Sequence, residues 1–471
     1  MKAIKYLLAG VLMLGFSSSA MAQDDHKAVI DQVTKIIKEK APNADDQVKQ
    51  IFKQNKKFAD VLVGIGRAYL DVKDTANASK YVQLAIQRDK KYGPAYILAG
   101  DIEVIKDNGG AASSWYENAT YFDPKNPEGY RKYAQINSKT SPSSAVAKLE
   151  ELRRQRPDYP VDIISAQIYD RAGNLDKALE FYEKVDKNKM EADQLVNFAL
   201  DYFLKGEFEK SLAVSLFGNQ KFPRNPALNR ITFFDYTNLK KYPEALQYAD
   251  RLFNQSDTTK ITASDYLYYG YAYSGNKEYD KAIEMFNQSL AHNENNEADR
   301  IDALKNIAQA YQEKGDFANA ISTYDKYLKS LKQITAIDYN TLAGMYMTQA
   351  EKLTGAEQIA AYQKADGVYA EMVDKFPSAA DFATYQRAHI GYNLDPETKT
   401  GAAKPHYEKL IEIIKGHATK GDRDDDRLVE AYRYLGYYYL LKNDKATANG
   451  YWNKVLEIDP NNETAKQALG K

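Results

Sequence analysis

Cysteine is absent from the 471-residue chain, which excludes disulfides, thiolate metal sites, a cysteine nucleophile and a lipidated cysteine anchor. An excess of positive charge is absent too, because 64 Lys and Arg face 65 Asp and Glu. A net charge of −1 is the opposite of what a phosphate-binding surface needs, so nucleic acid is not the expected ligand. The five histidines (His26, His292, His389, His406 and His417) include no pair three or four residues apart, and no HExxH, GxSxG or P-loop motif occurs. Asp422-Arg423-Asp424-Asp425-Asp426 imitates the first ligands of a calcium loop. Arg427 replaces its glycine and Arg433 its bidentate acid, so the test fails. The sequence therefore assigns no catalytic residue, no metal ligand and no cofactor. What it has in excess is tyrosine, 38 residues against 17 Phe.

The first 22 residues read as an export segment, not as fold. Lys2 and Lys5 precede an uncharged apolar stretch, Leu7 to Phe16, and Ala20-Met21-Ala22 supplies a small-x-small cleavage site. A run of about ten residues is well under the ~20 needed to span a bilayer. No later segment comes closer to that length. The expectation is cleavage after Ala22 and a soluble protein in the periplasm, with the cell exterior as the alternative and no transmembrane segment afterwards.

A repeat organises the rest. Asp265 to Phe286 and Glu430 to Trp452 share an aromatic, then Gly270 or Gly436, then Tyr273 or Tyr439, then Ala282 or Ala448 with Phe286 or Trp452 four residues on. The small position recurs at Ala78, Ala112, Ala145, Ala178, Ser211 and Ala245, every 33 or 34 residues. It continues at Ala282, Ala320, Ala365, Ala403 and Ala448, now 37 to 45 residues apart. Residues three and four apart share a helical face, so each unit reads as two packed helices, with a small residue on one opposite an aromatic on the other. Gly before Asn174, Glu207, Asn276 and Asp316 marks the turn between them, where a positive φ is wanted.

This pattern resembles the tetratricopeptide repeat (TPR) family. The resemblance implies an all-α, right-handed α-solenoid of about eleven helix-turn-helix units. Residues 59–259 form regular units and residues 260–462 form units with insertions. One insertion, around Met347 to Tyr362, keeps a helical pattern and is expected to lengthen both helices of its unit. Another is the polar segment His417 to Arg427. Residues 23–58 carry two apolar faces (Val29, Val33, Ile36, Ile37, then Val48, Ile51, Phe52) and read as an N-terminal helical cap. Residues 463–471 would cap the other end. Leu394 to Lys399 is similar to a segment of exported TPR proteins of diderm bacteria.

In TPR proteins the concave surface is lined by the first helix (A) of each pair. By that resemblance the partner-groove candidates are Phe234, Tyr271, Tyr385, His389, Tyr392, Arg433 and Tyr437. Early units offer Val63, Arg67, Ile97, Asp101, Val196 and Leu200, and Leu267 lies in the middle. The Lys/Asn pattern with which chaperone-binding members clamp a peptide carboxylate is not met; Lys305 and Gln309 approach it, and their neighbours do not complete it. The expected function is non-enzymatic: a scaffold in the bacterial envelope binding a protein or peptide partner. The alternative is a periplasmic glycan or peptidoglycan module using groove tyrosines. Oligomeric state is not assigned.

Overall fold

The apolar positions spaced three and four apart do fold as helices, and the turns between them follow from local chemistry. In the computed structural model, which describes residues 19–292, 297–419 and 421–471, every regular element is helical. The export segment expected over residues 1–22 falls almost entirely outside the described residues.

Two compact units divide after Ile231. In the first, α1 (Ser19–Lys38) and α2 (Ala44–Asn55) precede the repeats. The helix pairs follow as α3 (Ala59–Asp71) with α4 (Thr75–Arg88), α5 (Gly93–Ile105) with α6 (Gly109–Phe122), and α7 (Pro127–Asn137) with α8 (Pro142–Gln155). Next come α9 (Val161–Arg171) with α10 (Leu175–Tyr182) and α11 (Ala192–Leu204) with α12 (Phe208–Lys221). Helix α1 lays Val33, Ile36 and Ile37 on Val61, Leu62 and Ile65 of α3. That approach explains Gly64, since a Cβ there would sit 2.5 Å from Ile30.

The division falls within α13 (Pro226–Asn238), which precedes α14 (Tyr242–Asp250). The second unit continues with α15 (Ala263–Gly275) and α16 (Tyr279–Ala291), then α17 (Glu297–Glu313) and α18 (Phe317–Ser330). The lengthened pair is α19 (Ala336–Lys352) and α20 (Gly355–Lys375), with 17 and 21 residues. Then come α21 (Ala380–Leu394) with α22 (Lys404–Lys415), α23 (Asp424–Leu441) with α24 (Lys445–Ile458), and finally α25 (Glu463–Leu469). The described residues thus carry eleven helix pairs, and the fold is an all-α solenoid, as the repeat implied. The segment expected as a loop to Arg427 is shorter, because Asp424 to Arg427 already form the first turn of α23.

Large meets small inside the pairs. Tyr116 faces Gly100, Phe286 faces Gly270, and the Trp452 ring lies 2.8 Å from where a Gly436 Cβ would stand. The A-to-B turns put one residue at positive φ and the next at the cap of the second helix. Gly173, Gly206 and Gly315 do so at φ 72 to 79°. Asp74, Asn108, Asn174, Asp316 and Asp444 then accept a backbone N–H from three residues on. One expectation is corrected here. Before Asn276, Gly275 ends α15 with its α-carbon against the Tyr242 ring, and Lys277 takes the left-handed turn position at φ 63°.

Candidate functional site

Three of the places where side chains from successive A helices meet involve residues singled out from the sequence. In the first unit, Asp101 of α5 is 8% exposed and serves as a hub. Arg67 of α3 approaches it at 2.6 Å and Lys132 of α7 at 2.8 Å, while the Tyr116 hydroxyl donates to it at 2.7 Å. Burial works against its charge, but the bonds from Lys132, Tyr116 and Arg67 win and hold the carboxyl below its usual range. Removing the cations is costly, because the Asp101 carboxylate would be left as a desolvated charge, whereas Arg67 and Lys132 still reach water. Arg67, Asp101 and Lys132 sit 34 and 31 residues apart, so the repeat itself sets their alignment.

In the second unit, Glu430 of α23 plays the matching role. Its oxygens accept from the Tyr385 hydroxyl, the Tyr407 hydroxyl and the His389 ring, each at 2.7 Å. Burial opposes the charge, yet the hydrogen bonds from His389, Tyr385 and Tyr407 bring the carboxyl down to about 2. Burial and the bond to Glu430 push the Tyr385 phenol up to about 12. Arg427, paired with Asp381, lies 5.4 Å over the Tyr385 ring. A carboxylate so firmly ionised and already holding three donors is a brace between α21, α22 and α23. It has no proton to give near neutrality.

The third meeting is Tyr271 of α15 with Asp302 of α17, a hydroxyl-to-carboxylate bond. Burial and that bond push the phenol well above its ordinary range. The Tyr271 ring also packs edge-on against Phe286 and Tyr268, and it lines an open hollow of ≈ 530 Å³ with Lys240, Asn306 and Gln309 among others.

The seven candidates from the sequence therefore separate by environment. Tyr385, His389 and Tyr271 are committed to carboxylates. Phe234 is half-buried and stacks on Tyr268 with ring centres 3.8 Å apart. Tyr392, Arg433 and Tyr437 remain exposed. Ile97 of an early unit and Leu267 of a middle one are 6% and 4% exposed and belong to the core instead. That is a correction: an apolar side chain on the A helix gains more by packing on its neighbour than by facing water. Sequence reasoning missed Glu430 and the shared role of Asp101. The one signal was an acid recurring on A helices at Asp101, Asp170, Asp201 and Asp235. No three His, Asp or Glu side chains converge as a metal site needs among the described residues. No helix among them is long and apolar enough to cross a membrane.

Tetratricopeptide repeat family models match residues 261–333, 59–92 and 164–189. The chain is a tetratricopeptide repeat protein. Among curated proteins it is similar to the photosystem I assembly protein Ycf3 of Prochlorococcus marinus. Strain NATL2A gives 43% identity over 65 residues, 13% of this chain and 37% of that protein. Strain SARG gives 41% over 66 residues, 14% of this chain and 38% of that one. The match thus spans little more than a third of these relatives. Among solved structures, the C-terminal part of a TPR repeat-containing protein from Cytophaga hutchinsonii is 26% identical, covering 58% of this chain and 99% of that one at a TM-score of 0.46. A tetratricopeptide repeat protein from Parabacteroides merdae is 17% identical, covering 52% and 97% at a TM-score of 0.33.

Proposed function

We propose that the protein is a non-enzymatic scaffold of the bacterial envelope that binds a protein or peptide partner through the concave surface of its A helices. The observation that carries this reading is the alignment of polar side chains across successive A helices, as in Arg67, Asp101 and Lys132. It gives a partner a preorganised array of polar side chains. TPR proteins in general mediate protein–protein interaction, and the A-x-A pattern at Ala20-Met21-Ala22, read as an export segment, favours the envelope. Tyr392, Arg433 and Tyr437 are the exposed contacts in the second unit. Tyr and Arg are the residue types that contribute most at protein interfaces.

Crosslinking in envelope fractions tests it. Defined partners should be recovered with the wild-type chain and lost with a Tyr392→Ala, Arg433→Ala, Tyr437→Ala variant. Unchanged recovery removes the groove assignment. A second reading is favoured by the half-exposed rings of Tyr392 and Tyr437, which suit stacking on sugar faces. Binding to purified sacculi that the same variant abolishes would support it over the first.

A further inference from the structure

An open groove of ≈ 750 Å³ runs along α3, α5 and α7, beside the Arg67–Asp101–Lys132 line. Its wall is apolar and wet: Val104 and Ile105 are 44% and 50% exposed, and half-buried Ile136 joins them. Large aliphatic side chains left this open side by side mark a contact surface.

The charge around that wall is one-sided. Four cations (Arg67, Lys73, Lys132 and Lys139) line the groove against two carboxylates, Asp71 and Asp101. Both carboxylates are already answered. Asp71 pairs with Lys38 at 2.9 Å, and Asp101 is held between Arg67 and Lys132. Lys73 and Lys139 make no ion pair among the described residues. Each stands in an A-to-B turn at the groove's lip, Lys73 at φ 63° and Lys139 between α7 and α8. Across the same line a smaller hollow of ≈ 390 Å³ holds Arg67 and Lys132 against Asp101 and Glu128, two against two. Of the two hollows beside the Arg67–Asp101–Lys132 line, the larger alone carries a positive excess, in a chain whose net charge is −1.

We propose that this groove docks an extended acidic segment of a partner protein, one in which carboxylates alternate with aliphatic side chains. In an extended chain successive side chains point to opposite sides. Such a segment would lay its aliphatic residues on Val104, Ile105 and Ile136 and turn its carboxylates to Lys73 and Lys139. The inference rests on the scaffold reading and names the chemistry of its partner at this place.

The test is fluorescence polarisation on the full chain with three labelled decapeptides: alternating Glu and Leu, alternating Lys and Leu, and alternating Glu and Ser. The Glu-Leu peptide should bind, and its affinity should fall several-fold between 50 and 300 mM NaCl as exposed charges are screened. The other two should bind at least tenfold more weakly. A Lys73→Glu, Lys139→Glu variant should lose at least tenfold in affinity with its melting temperature unchanged, because both side chains are exposed. Ile105→Asp should lose a similar factor. Equal binding of the Lys-Leu peptide, or full binding by the double variant, would overturn the proposal. So would dimerisation in sedimentation velocity that the double variant abolishes, which would make the groove a contact between two copies. Should the peptide fail while envelope crosslinking still yields partners sensitive to Tyr437, this inference alone falls. Should both fail, the scaffold reading falls with it.

Discussion

Asp201 of α11 neighbours Asp170 of α9, the preceding A helix, and its Oδ2 is buried with no hydrogen-bond partner. Asp201 is 1% exposed. Burial, then the neighbouring Asp170, raises its pKa to about 7. Burial raises Asp170 as well. An acid raised in the folded state contributes its stability fully below the unfolded value near 3.8, and that contribution is lost as pH climbs through about 7. Thermal melts between pH 5 and 8.5 should therefore show the wild type weakening with rising pH. Asp201→Asn keeps a donor in place at every pH. It should flatten that slope and be the more stable protein at pH 8 by ~2–4 kcal/mol. Parallel slopes for the two proteins would count against Asp201 as the titrating group.

Glu430→Ala removes the acceptor of three donors at once, leaving Tyr407, which is 3% exposed, without a partner. The expected cost is ~1–3 kcal/mol, read as faster hydrogen exchange in α21 to α23 only. The sign with pH is opposite to that of Asp201. The folded carboxyl is depressed to about 2, so its contribution stands above the unfolded value near 4.5 and is lost as pH falls toward 2. At pH 3 the difference between variant and wild type should be smaller than at pH 7.

Gly436→Ala places a methyl 2.8 Å from the Trp452 ring. Overpacking of this kind costs ~1–3 kcal/mol. Trp452 and Trp115 are the two tryptophans of the chain, so a Trp115→Phe background isolates the emission of Trp452. Its maximum should move to longer wavelength in the variant, and Trp452→Leu should relieve the strain.

Lys277 holds a left-handed conformation at φ 63° where Gly173, Gly206 and Gly315 hold theirs without a Cβ. Lys277→Gly should raise the melting temperature by the equivalent of ~1 kcal/mol, and Gly315→Ala should lower it by about as much. Circular dichroism melts of the two variants would settle both signs.

Much of this architecture was legible in the chain. The small-against-aromatic rule needs only two residues at a fixed offset, so Gly270 with Phe286 and Gly436 with Trp452 announce a crossing without any structure. The lengthened α19 and α20 were legible for the same reason, since an inserted stretch that keeps a helical period extends helices. The polar hubs were not. Glu430 draws its donors from 23, 41 and 45 residues away, and nothing around it in sequence marks it among 65 acids. The turn before Asn276 misled because Gly275 looks like a hinge residue. Its missing Cβ serves the Tyr242 ring instead, while a lysine bears the strained angle.

The length of α20 has a consequence for how the second unit opens. At 1.5 Å per residue its 21 residues span about 31 Å, roughly 10 Å more than 14-residue helices such as α18 and α24. The surplus lies at its start, where Ala356, Glu357, Ile359 and Ala360 are exposed. Those turns have few packed neighbours to hold their backbone hydrogen bonds, so they are the place where fraying begins. A protease probing the folded chain should find its first foothold there, and a peptide tag inserted there should leave the pairs on either side undisturbed.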